Sequence, residues 1–173
     1  AGIPIGFEDD SDYLGGWQRH LIQAVMAVPP AVRLIEDMET FRYVTLLFLL
    51  RCRSLALISV WNPTFLTLLL EKLPQWWPSL TADIAAGTLS PPSPLPADLE
   101  RHFLRLHRAD PHRAAEIQKI FHSYHSPITI YQQLWPHLGL ISCWTEAQAA
   151  RPVPELARLF PQARIQGKGL IAT

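Results

Sequence analysis

The sequence predicts an α/β fold of mostly parallel strands with covering helices and an appended helical hairpin. Two short apolar runs, Leu55 to Val60 and Leu138 to Cys143, are bracketed by polar residues and have the length of buried strands. Each run lies between stretches with helical periodicity, the helix-strand-helix order of a parallel crossover. The composition agrees: 49% hydrophobic against 17% charged residues suits a core segment covered by layers outside it.

Along the chain, Gly6 to Asp12 form an acidic turn, with Ser11 or Asp12 placed to cap a helix carrying Trp17, Leu21, Ala24, Val25 and Val28. Pro29-Pro30 stops it, and Pro30 suits the first turn of the next helix, where its missing N–H costs nothing. Val32, Ile35, Met38, Phe41 and Thr45 stripe that helix, and from Val44 to Leu50 it is apolar on nearly all sides, predicting burial. After the strand at Leu55 to Val60, Asn62 is a cap and Pro63 a first helical residue for a helix through Leu73. Pro74 to Pro96 reads as a loop-rich surface connection with one short helical turn at Ala82 to Ala86. Asp98 to His107 and His112 to Tyr124, joined at Asp110-Pro111, read as the helical hairpin, and a helical insertion is expected over about residues 74–125. Ile128 to Trp135 returns to helix, Leu138 to Cys143 to strand, and Val153, Leu156, Leu159 and Phe160 to helix, ended by Pro161. Ala163 to Thr173 suggests a last strand interrupted at Gly167-Lys168-Gly169.

The chain opens on Ala1-Gly2-Ile3-Pro4 and stops on the apolar run Leu170 to Thr173, unlike the polar, frayed ends of most domains. The expectation is an internal segment of a larger enzyme, residues 1–173 containing no complete domain boundary. Fifteen basic and fifteen acidic side chains cancel without a block of one sign, which argues against nucleic acid or an anionic membrane surface as partner. Cys52 and Cys143 sit far apart in apolar surroundings, the pattern of reduced thiols in a cytoplasmic protein. The longest apolar block, Tyr43 to Leu50, is far short of the roughly 20 residues that span a bilayer.

Self-contained chemistry is hard to find. His122 and His125 share a helix face but have no thiol or carboxylate company, and His102, His107 and His112 rotate around their helices. Glu8, Asp9, Asp10 and Asp12 lack the glycine and distal glutamate of a calcium loop. There is no Gly-x-Ser-x-Gly elbow, and Gly167-Lys168-Gly169 has neither the Walker spacing nor a following helix.

Larger runs are more informative. The stretch from Leu134-Trp135-Pro136 to Trp144-Thr145, then Val153-Pro154 with Leu156, and finally Ile165 to Thr173 resembles the auxin-responsive acyl-acid amido synthetase family, in its bacterial branch. Ile3 to Phe7, Ser59 to Asn62 and Ala82 to Leu89 extend the resemblance over nearly the whole chain. It implies the central part of the large domain of an adenylate-forming enzyme, which activates a carboxylic acid with ATP and Mg2+ and passes the acyl group to an amino acid. Of the three nucleotide motifs of the family, only the second reaches this chain, at Ala172-Thr173, which the resemblance makes nucleotide-binding. Val60, Trp61, Asn62, Thr145, Gly169, Leu170 and Ile171 become the substrate-binding candidates, since ligands of open α/β sheets gather beyond the carboxyl ends of the strands. Catalytic groups and a metal site are not expected within the chain. The alternatives are an acyl-coenzyme A synthetase-like enzyme, sharing the adenylation half, and a non-enzymatic helical interaction module.

Overall fold

The computed structural model describes residues 26–168, folded as helices against a small parallel sheet. A 3-10 turn at Pro30–Leu34 leads to α1 (Met38–Arg51), β1 (Leu57–Ser59), α2 (Pro63–Leu70) and α3 (Leu73–Ala86). Next come α4 (Ala97–Leu106), α5 (Pro111–Ser123), α6 (Pro127–Leu134), β2 (Leu140–Cys143), α7 (Val153–Leu159) and β3 (Arg164–Gly167). The sheet order is β1-β2-β3, both pairs parallel, with Ile58 beside Ile141 and Ile141 beside Ile165. The expected α/β class with parallel strands is therefore present.

Local signals set most boundaries. Asn62 accepts a hydrogen bond from the Thr64 amide and Pro63 opens α2, while Asp110 accepts from Arg113 and Pro111 opens α5. Two expectations are corrected. No single helix runs from Pro30: the turn at Pro30–Leu34 ends, and Asp37 starts α1 anew by accepting from the Thr40 amide at 2.8 Å, with Glu39 in the first turn. The Trp76-Trp77-Pro78 stretch is helix, not loop, because α3 runs unbroken through Pro78 to Gly87. Tertiary packing overrides the proline: Leu73, Leu80 and Ile84 are fully buried, and Trp77 stacks on Phe121 with ring centroids 4.8 Å apart. Gly87 then ends α3 at φ 71°, where an added Cβ would lie 2.7 Å from the Ala109 amide nitrogen. The helix expected through Val28 falls mainly outside the described residues, and Met26 to Pro29 are irregular.

The main core joins the inner faces of α1, α2, α3, α5, α6 and α7 to Ile58 and Ile141. A second, smaller cluster gathers Val32, Ile35, Val44 and Phe48 with Leu99 and Phe103 of α4. The two helices expected as a hairpin form where the sequence places them, α4 in the smaller cluster and α5 in the main core. Two buried charged groups tie the helices together. The Asp83 carboxylate accepts from the Tyr43 hydroxyl, the Thr88 hydroxyl, and the Ser90 amide and hydroxyl. This leaves no lone carboxylate oxygen in the core and anchors the loop after α3. The Arg113 guanidinium donates to the carbonyls of Leu50 at 2.7 Å and Leu134 at 2.8 Å, near the carboxyl ends of α1 and α6. Those carbonyls have no partner within their own helices, and a cation suits the negative ends of the helix dipoles.

Candidate functional site

Parallel pairing sends all three strands out of the sheet at the same end. The ladder continues one step past the strands: the Val60 amide donates to Ser142, the Trp144 amide to Trp61 and the Lys168 amide to Cys143, each at 2.9 Å. Val60, Trp61 and Asn62, then Trp144 and Thr145, then Gly167 and Lys168 thus stand side by side on one rim. Of the residues singled out from sequence, Val60, Trp61, Asn62 and Thr145 are brought together here; Gly169, Leu170, Ile171, Ala172 and Thr173 lie outside the described residues.

Each rim residue is held by a local cause. Asn62 is committed to capping α2 through its side-chain oxygen. Trp61 is 56% exposed and meets Trp144 edge to face, centroids 5.5 Å apart, forming a rigid aromatic wall. Thr145 packs against β3 only because position 167 is glycine: an added Cβ there would lie 2.5 Å from the Thr145 hydroxyl. The Lys168 ammonium donates to the Ser59 hydroxyl at 2.9 Å, reaching from beyond β3 across to β1. Burial pushes the Cys143 thiol above its usual range, opposed by the Lys168 charge, so this thiol is a packing group rather than a nucleophile.

Sequence reasoning did not select Ser59 or Trp144, and it weighed Gly167 and Lys168 only as a phosphate motif and set them aside. Trp144 had a readable signal, since it borders the same strand end as Thr145; the Lys168–Ser59 contact joins positions more than a hundred residues apart and had none. Among the described residues no group of three His, Cys, Asp or Glu could hold a metal ion, and Glu146 is the lone carboxylate next to the rim, so the residues present do not form a magnesium site. No helix among the described residues is long and apolar enough to cross a membrane. A hollow of about 570 Å³ between Met26, Pro30, Phe48, Arg51, His102 and Leu106 involves no strand-end residue and is bordered by the first described residue.

Solved structures share this architecture. A structure of "GH3.15 acyl acid amido synthetase" superimposes with a TM-score of 0.69 at 22% identity, covering 84% of this chain and 27% of its own. A second, "AtGH3.15 acyl acid amido synthetase in complex with 2,4-DB", gives 0.65 at 23% identity, covering 76% and 23%. The chain thus spans about a quarter of the length of these structures, and at such identity the likeness establishes the fold. No curated protein matches the sequence. The family model described as "GH3 family N-terminal domain" matches residues 1–165, nearly the whole chain, and the protein therefore belongs to the GH3 family.

Proposed function

We propose that the intact protein is an ATP-dependent acyl-acid amido synthetase, and that this chain supplies the acyl-side wall of its crevice. The observation that carries the reading is the rim, in a GH3 N-terminal domain, where exposed Trp61 packed on half-buried Trp144 and, among the described residues, one lysine stand beyond the carboxyl ends of parallel strands. In the reaction a carboxylate oxygen of the acid attacks the α-phosphorus of ATP; the new P–O bond forms as the bond to the β-phosphate oxygen breaks, and pyrophosphate leaves. An amino acid amine then attacks the acyl carbon, the bond from that carbon to the bridging anhydride oxygen breaks with its electrons leaving on AMP, and the amine proton is lost. Magnesium would enter with ATP, and the described residues of this chain are assigned no part in holding it. By the family resemblance, Gly169, Leu170 and Ile171 would serve the acid, and Ala172 and Thr173 the nucleotide. The Trp61–Trp144 pair offers apolar surface for the body of the acid and sheds water from it.

The test is pyrophosphate release by the full-length protein with ATP, magnesium and a panel of aliphatic and aromatic carboxylic acids. Acid-dependent release is expected, followed by amide formation when amino acids are added. Product formation with coenzyme A instead of amino acids would assign the thioester-forming chemistry, and no release with any acid would refute the adenylating role.

A further inference from the structure

Among the described residues Lys168 makes no ion pair; its ammonium is held by a neutral hydroxyl, Ser59, at 2.9 Å. The contrast with Lys72 is informative, because that lysine is bound to Glu39. Of the three lysines in the chain, Lys168 alone lies at the carboxyl end of the sheet, and no arginine or histidine falls in the segments just beyond the three strands. The backbone that carries this side chain is held: the Lys168 amide completes the ladder to Cys143, and Gly167 beside it packs closely on Thr145. Ser59 and Trp61 are two residues apart on one strand end, both exposed, so they present to the same face roughly 7 Å apart along the chain. A positioned cation therefore stands next to an aromatic wall. That pairing suits a small organic monoanion with an apolar body. A polyphosphate would call for several cations, and among the described rim residues Lys168 is the single one.

Resting on the synthetase reading above, we propose that Lys168 binds the carboxylate of the acid substrate while its body lies against Trp61 and Trp144, with Ser59 as the positioning residue for the ammonium. The charge-assisted contact discriminates the acid from its uncharged amide and holds the carboxylate for attack on ATP.

The experiment uses the full-length protein and pyrophosphate release with the best acid of the panel, together with inhibition by that acid's primary amide. Lys168→Ala should raise KM for the acid roughly ten- to hundredfold, the range set by loss of one charge-assisted hydrogen bond, with KM for ATP within twofold of wild type. Its inhibition by the neutral amide should be unchanged, so the preference for acid over amide falls by the same factor; Lys168→Arg should keep most of that preference, and Ser59→Ala should lower it a few-fold. A structural role alone would not move the acid-to-amide ratio. If Lys168→Ala leaves the acid KM unaltered, or raises the ATP KM instead, the assignment is overturned while the synthetase reading stands. If the wild-type protein releases no pyrophosphate with any acid, both fall.

Discussion

Replacing Arg113 with methionine tests whether one buried guanidinium holds two helix ends together. The residue is 4% exposed, and its three contacts run to the carbonyls of Leu50 and Leu134 and to Glu116 Oε2 at 2.7 Å. Methionine retains the apolar stem and volume but strands both carbonyls in the core. Loss of two hydrogen bonds from a charged donor, at about 1.5–2 kcal/mol each, predicts a destabilisation of about 3–4 kcal/mol. The Glu116 contact adds little, because that carboxylate is partly exposed and keeps Arg53 at 3.1 Å as a partner. Because the urea dependence grows with the surface exposed and in a long chain exceeds the about 1–3 kcal/mol per molar of small domains, the midpoint of the transition that includes this domain should fall by roughly 1 M. The assay is equilibrium urea unfolding of the full-length protein, followed by far-UV circular dichroism and tryptophan fluorescence. Arg113→Lys, which can reach one carbonyl but lacks the fork, should fall between the two. A midpoint shift below about 0.5 M for Arg113→Met would refute the view that these helix ends depend on the guanidinium.

Two further outcomes follow from other contacts. His107 is buried, with Arg51 donating to its Nδ1 at 2.8 Å and its Nε2–H donating to the Asp83 carbonyl at 3.1 Å, so burial and the Arg51 charge hold its pKa below the usual histidine value. The unfolded chain then binds the proton more readily, and stability should decline as pH drops below about 6.5, by at most about 1.4 kcal/mol per pH unit. His107→Gln should flatten that part of a pH series of unfolding midpoints, and an unchanged slope would count against the histidine as its source. At the rim, Gly167→Ala should displace the Thr145 side chain and lower the melting temperature, and Thr145→Gly in the same protein should restore much of it; additive losses in the double variant would show that the two positions are not coupled.

How much of this could be read in advance depended on the range of the interactions involved. Asn62-Pro63 and Asp110-Pro111 are start signals whose hydrogen bonds close within three residues, so the helices after them were legible. The strands at Leu57–Ser59 and Leu140–Cys143 were legible because burial on a parallel sheet leaves a continuous apolar run. Pro78 misled because its local cost is offset by distant partners: Phe121 stacked on Trp77, and Tyr43 meeting Trp76 edge-on at 5.6 Å. The start at Asp37 was readable, an aspartate cap with Glu39 in the first turn, but Pro29-Pro30 masked it as the more conspicuous signal. At the rim, Trp61 and Asn62 were singled out from one strand end and Thr145 from the next, and the structure sets these strand ends side by side. The aromatic wall required knowing that β1 lies beside β2, the Gly167 cradle that β3 lies on the other side of β2, and the Lys168 contact both.

That strand arrangement also has a consequence for how the protein is made. Leu57 pairs with Leu140, so β1 waits while roughly eighty residues are synthesised before its neighbour exists. At about 5–20 residues per second on a ribosome, the delay is about 4–16 s, very long beside the microseconds in which α1 can coil. During that interval the backbone of β1 lacks its one partner strand among the described residues, and the apolar surfaces of α1 and α2 can cover one of its faces only. Slower chain initiation, lower growth temperature or more chaperone should therefore raise the soluble yield more than any change at the rim would.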